Sequence, residues 1–144
     1  MKAGILFPFL AALLLVGTGC SSFHREWRRS SDSNTTEVSG RWEGTWLSDV
    51  NGHNGKLRCI MKPLPDGSYE ARFHAKYARI FSFGYTAHLT GTHENDTFRF
   101  LGEADLGRLA GGVYSYNGEA NHTNFFSTYN SRYDNGTFRM TRPR

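Results

Sequence analysis

From Gly40 to Arg142 the chain alternates apolar and polar residues with a period of two, the pattern of strands with one face in a core and the other in water. The clearest run is Tyr69-Glu70-Ala71-Arg72-Phe73-His74-Ala75-Lys76-Tyr77. Leu57, Cys59 and Met61 alternate with Lys56, Arg58 and Lys62, and Phe81, Phe83, Tyr85, Ala87 and Leu89 alternate with Ser82, Gly84, Thr86 and His88. No stretch of this region has the three-and-four apolar spacing of a core-facing helix. Turn chemistry separates the runs: Asn51-Gly52 and Asn54-Gly55, Pro65-Asp66-Gly67, Glu94-Asn95-Asp96, Gly111-Gly112 and Asp134-Asn135-Gly136. The pattern predicts eight strands at 41–48, 56–63, 68–77, 80–91, 96–104, 112–120, 123–131 and 136–142. Connections this short pair each strand antiparallel with the next. Eight such strands leave two raw edges unless the meander closes, so the expected fold is all-β, an antiparallel up-and-down barrel, with a two-sheet sandwich as the alternative.

The chain before Gly40 follows different rules. Lys2 precedes an apolar run from Ile5 to Val16, and Gly17-Thr18-Gly19 lead into Cys20, the layout of a secretory signal. The run is short for a membrane span of about 20 apolar residues, and Pro8 interrupts it. Ser21 to Ser39 is rich in Ser, Asn, Thr and charge and reads as a flexible tether. Within it Arg25, Trp27, Arg28 and Arg29 suit contact with lipid headgroups, while Glu26, Asp32 and Glu37 offset the arginines and leave a solvated linker as the other reading. The expected organisation is a signal peptide at 1–19, a tether at 20–39 and one β-barrel domain at 40–144.

Three resemblances add to this reading. Small residues directly before Cys20 resemble the lipobox of bacterial lipoproteins, which implies a diacylated Cys20 that holds the protein on a membrane by its lipid. Ser21 and Ser22, with no Asp after the cysteine, resemble the outer-membrane sorting pattern, implying a cell-envelope location on the outer membrane facing the periplasm. Gly40-Arg41-Trp42 and Gly44-Thr45-Trp46, opening the first strand of a meander, resemble the Gly-x-Trp of lipocalins and avidins. That resemblance implies an eight-stranded barrel that binds small apolar or heterocyclic ligands, with the tryptophan at the barrel floor or in the cavity.

Charge and reactive residues narrow the chemistry. The net charge of +4 is spread thinly, without the basic cluster a nucleic-acid groove needs. With Cys20 lipidated, Cys59 has no partner for a disulfide and reads as a buried thiol on a strand. The six histidines lack metal-ligand spacing: of the five in the barrel domain, His74 and His88 face outward on strands, and His53, His93 and His122 lie in or beside turns, so no metal or cofactor is expected. No Gly-x-Ser-x-Gly elbow, Ser-x-x-Lys or paired-carboxylate motif marks a hydrolase, and the domain reads as non-enzymatic.

The inward set carries most of the aromatics: Trp42, Trp46, Tyr69, Phe73, Tyr77, Phe81, Phe83, Tyr85, Phe98, Phe100, Tyr114, Tyr116, Phe125 and Tyr129. These rings either plug the barrel or line a cavity whose tyrosine hydroxyls meet the polar part of a ligand. The ligand-binding candidates are Trp42, Trp46, Tyr69, Tyr85 and Tyr114. A plugged barrel would instead present its outer face to an envelope protein or glycan.

Overall fold

The computed structural model describes residues 22–30 and 37–144. The expected signal peptide and the expected lipidation of Cys20 fall on residues outside those described. Eight strands follow one another: β1 Gly40–Ser48, β2 Asn54–Pro63, β3 Tyr69–Tyr77, β4 Phe81–Glu94, β5 Thr97–Asp105, β6 Val113–Ala120, β7 Asn124–Asn130 and β8 Asn135–Thr141. Each pairs antiparallel with the next, and β8 returns to β1 in the register Glu43↔Thr141 to Ser48↔Gly136. The meander is a closed barrel, not a sandwich, and no raw edge remains.

Local chemistry makes the turns. At Pro65-Asp66-Gly67-Ser68, Asp66 Oδ1 accepts the Ser68 amide at 3.0 Å, Leu64 N–H donates to the Ser68 carbonyl at 2.8 Å, and Gly67 takes φ 85°, a conformation costly for a residue with a Cβ. Asn95 turns the β4–β5 hairpin at φ 55°, within the left-handed region that asparagine tolerates.

The hairpins β2–β3, β4–β5 and β6–β7 lie at one end of the barrel with the entry to β1, and that end is packed solid. Trp42 is fully buried at 0 % exposure; its Nε1 donates to the Val38 carbonyl at 2.9 Å and its ring meets Phe125 at 5.9 Å. The Arg142 guanidinium lies 3.9 Å from the Trp42 ring centre and donates to the carbonyls of Glu37 (2.6 Å), Ser39 (2.8 Å), Arg41 (3.1 Å) and His122 (3.1 Å). One side chain therefore seals the floor and ties the two ends of the barrel chain together. Tyr69, Phe98, Phe100 and Leu89 complete this layer, and Phe73 stands above it against Phe138 at 5.4 Å and Tyr85 at 5.2 Å.

Residues 22–29 form a helix, α1, on the outer face of β2 and β3. This differs from the flexible tether expected at 20–39. Phe23 and Trp27, one helical turn apart, stack on each other at 5.9 Å and bury Ile60. Phe23 also stacks on His74 at 4.9 Å, Arg58 and Arg41 lie over the Trp27 ring, and Lys62 and Arg72 pair with Glu26. Trp27 is thereby spent on the barrel wall and not free for headgroups. The outward-facing His74 is only 3 % exposed because α1 covers it.

Candidate functional site

The other end of the barrel is open. The β1–β2, β3–β4, β5–β6 and β7–β8 connections surround a cavity of about 640 Å³, within the range of small-molecule sites. The walls are Trp46, Tyr77, Phe83, Ala75, Tyr114 and Tyr129, and the floor is Tyr85 and Phe138 resting on Phe73. Alternation places all of these on the inward face, but height along the strand decides which face a void. Ala75 contributes space: it follows Phe73 on the same face of β3 and puts a methyl group opposite Phe83, where a larger side chain would enter the cavity.

The five candidate residues divide by height. Trp46, Tyr85 and Tyr114 meet around the cavity. Trp42 and Tyr69 do not line it: both are buried in the closed end, Tyr69 against Phe98 at 4.9 Å. Trp42 and Trp46 share a face of β1, yet four residues of strand separate them by about 13 Å, and the barrel changes over that distance from plug to cavity. Plug and cavity thus coexist in one lumen. At the rim the alternation also misleads, since Phe81 is 65 % exposed, above the level to which the lumen is filled.

Trp46 is fixed by its Nε1, which donates to the Lys76 carbonyl at 2.9 Å across the β2 strand. Gly55 permits this crossing, because a Cβ there would stand 2.8 Å from Trp46 Nε1 and 1.9 Å from the Lys76 oxygen. Tyr77 Oη lies 3.2 Å from His53 Nδ1. Tyr129 Oη donates to Asp134 Oδ2 at 3.1 Å, and Asp134 Oδ1 accepts Ser48 Oγ at 2.5 Å, so this carboxylate is tied to the wall of the site. The β5–β6 connection carries a single 3₁₀ turn, Arg108–Ala110, absent from the sequence expectation, which places Arg108 and the fully exposed Leu109 at the mouth. Ile80 and Tyr133 on the loops and Phe81 at the start of β4 are further exposed apolar side chains at this end.

The Tyr114 hydroxyl lies against Gly111 and the Tyr129 hydroxyl against Asp134, both on connections at the mouth, while Tyr85 stacks on Tyr116 at the floor. Burial raises the pKa of Tyr85, with Tyr116, Cys59 and Tyr114 adding to it, and burial likewise raises Tyr116 and Tyr129, the latter helped by the Asp134 charge. All three are protonated donors at neutral pH. Tyr116, absent from the sequence candidates, is 3 % exposed and its Oη is sealed from solvent; the Tyr85 hydroxyl is its hydrogen-bonding neighbour, in a contact that falls short of a well-formed bond. A hydroxyl left in that state costs about 1–3 kcal/mol. The sequence signal for it was its place two residues from Tyr114 on the same face of β6.

A second group of reactive side chains lies at the closed end. Ser68 Oγ is 2.8 Å from His88 Nε2, the spacing of a nucleophile and its base. The Ser68 hydroxyl proton, however, goes to Asp66 Oδ1, so the imidazole faces the Ser68 oxygen as donor, and Asp66 holds the serine instead of orienting the histidine. The Asp66 carboxyl sits below its ordinary pKa through those Ser68 hydrogen bonds. The arrangement closes the β2–β3 hairpin. Cys59 is fully buried and burial raises its thiol pKa, which disfavours the reactive thiolate. Among the described residues no three His, Cys, Asp or Glu side chains gather as a metal site, and no helix is long and apolar enough to cross a membrane. The chain matches no protein-family profile, no curated protein and no solved structure.

Proposed function

We propose that this chain is a non-enzymatic carrier or receptor barrel that binds a small hydrophobic or amphipathic ligand, held on a cell-envelope membrane by lipid on Cys20. The observation that carries the binding half is the aromatic-walled cavity at one end of an otherwise packed barrel. A chain selected only to fold would gain from filling that space, since each buried methylene is worth about 0.8 kcal/mol. Keeping it open on rigid strands is the economy of a binding site. The membrane half rests on the leader and the small residues before Cys20.

Two measurements test the halves separately. Melting of the full chain with a panel of lipids and aromatic metabolites identifies a ligand class, because a ligand at 100 times its Kd adds about 2.7 kcal/mol of stability. The expected result is a rise in Tm of roughly 5 °C or more that Trp46→Ala abolishes. No shift with any compound, in a protein that melts cooperatively, overturns the binding reading. Mass spectrometry of membrane-extracted protein from the native host is expected to find a diacylglyceryl group on Cys20, and an unmodified soluble protein overturns the anchor.

The exposed apolar rim favours a second reading, in which the mouth docks on an envelope partner. Ile80, Phe81, Leu109 and Tyr133 are its contact candidates.

A further inference from the structure

We propose that the cavity takes an uncharged ring compound bearing a hydroxyl or carbonyl oxygen, with that oxygen innermost against the hydroxyl of Tyr85 and completed from behind by Tyr116. The inference rests on the binding reading above and specifies its ligand. Three observations carry it.

The first is placement. Tyr85 on β4 and Tyr116 on β6 stack at the floor, 6.4 Å between centres, whereas the Tyr114 hydroxyl lies higher, against Gly111 of the β5–β6 connection. Tyr129 is already committed to Asp134. Tyr85 and Tyr114 line the cavity.

The second is the buried Tyr116 hydroxyl, which has the Tyr85 hydroxyl as its hydrogen-bonding neighbour but no well-formed bond to it. It lies behind the Tyr85 ring, which stacks on it at 6.4 Å between centres. When a ligand oxygen accepts the Tyr85 proton, the Tyr85 oxygen presents its lone pairs to Tyr116, which gains an acceptor. A ligand without oxygen leaves it unsatisfied.

The third is the distribution of charge. The lining cation, Arg108, stands on the β5–β6 connection and not at the floor, and the lining carboxylate, Asp134, is held by Ser48 and Tyr129. A carboxylate or phosphate pushed to the floor would lose its water and meet only neutral phenols, a poor exchange. A neutral oxygen loses little and gains a donor. The ring body is accommodated by the faces of Trp46, Phe83 and Phe138.

The experiment titrates the full chain with three fluorescent compounds sharing one flat body: 1-hydroxypyrene, pyrene and 1-pyrenecarboxylate at pH 7. The expected order has 1-hydroxypyrene at least tenfold tighter than the other two. Tyr85→Phe and Tyr116→Phe are expected to erase that preference without weakening pyrene, and Tyr116→Phe to raise the Tm of the ligand-free protein. Equal affinity for all three, or a preference that survives both substitutions, overturns the polar floor while leaving the cavity as a binding site. Tightest binding of the carboxylate overturns it in favour of recognition at Arg108. Failure of all three to bind overturns the cavity reading itself and this inference with it.

Discussion

Trp42 and Trp46 each follow a glycine by two positions, Gly-x-Trp twice over, and have opposite fates in the fold. Trp42 is enclosed by Val38, Phe125 and Arg142, whereas Trp46 forms part of the wall of a void. Their inward direction was legible from period-two alternation; their height was not, because alternation repeats identically along a strand. The same limit put Tyr69 among the site candidates and left Tyr116 out. The difference predicts distinct phenotypes. Trp42→Ala empties a fully packed site and lowers stability by about 3–5 kcal/mol in denaturant melts, with ligand affinity of the folded fraction unchanged. Trp46→Ala opens an already open site, costs less than half as much, and reduces affinity. Equal losses of stability for the two would contradict the division of the lumen.

At the scale of elements, the eight strands were legible nearly to the residue, because turn residues fall between runs of alternation and β-rich aromatics fill them. The largest boundary shift is the end of β4, which runs to Glu94 to pair with β5. Helix α1 was not legible. It shows only two apolar residues, Phe23 and Trp27, in a stretch of Ser, Arg and His, too few for a helical stripe, and its docking comes from stacking on His74 and from the Glu26 pairs with Lys62 and Arg72. That docking should depend on pH. Burial holds the His74 imidazole below its ordinary value of 6.5, with His24, Lys76 and Arg58 pressing the same way. Burial alone would raise the Glu26 carboxyl, yet Lys62 and Arg72 bring it below its ordinary 4.5.

The signs agree. For His74 the undocked state binds the proton more readily, so the docked helix is unaffected above about pH 6.5 and loses stability as pH falls below it. The Glu26 pairs contribute fully above about pH 4.5 and fade only below that. Hydrogen exchange, corrected for its intrinsic pH dependence, is expected to show residues 22–29 losing protection between pH 7.5 and 5.5 while the strands keep theirs. Phe23→Ala should release the helix already at pH 7.5. Unchanged protection in both tests would mean that other contacts hold α1.

Taken whole, the molecule is a barrel closed at one end and open at the other, with a helix applied to its side. Closure itself was legible, since eight consecutive antiparallel strands have little other way to hide both edges. The partition of the lumen arises from three-dimensional filling: bulky rings occupy the level from Trp42 to Phe73, and Ala75 contributes space at the level above. The measurement that tests this most directly is a crystal structure of the chain grown with 1-hydroxypyrene, inspected for density inside the barrel. The account predicts the ring between Trp46, Phe83 and Phe138 with its oxygen toward Tyr85, above an unchanged plug of Trp42 and Phe73. A lumen collapsed to the rim, or the compound bound only on the outer surface, would contradict it.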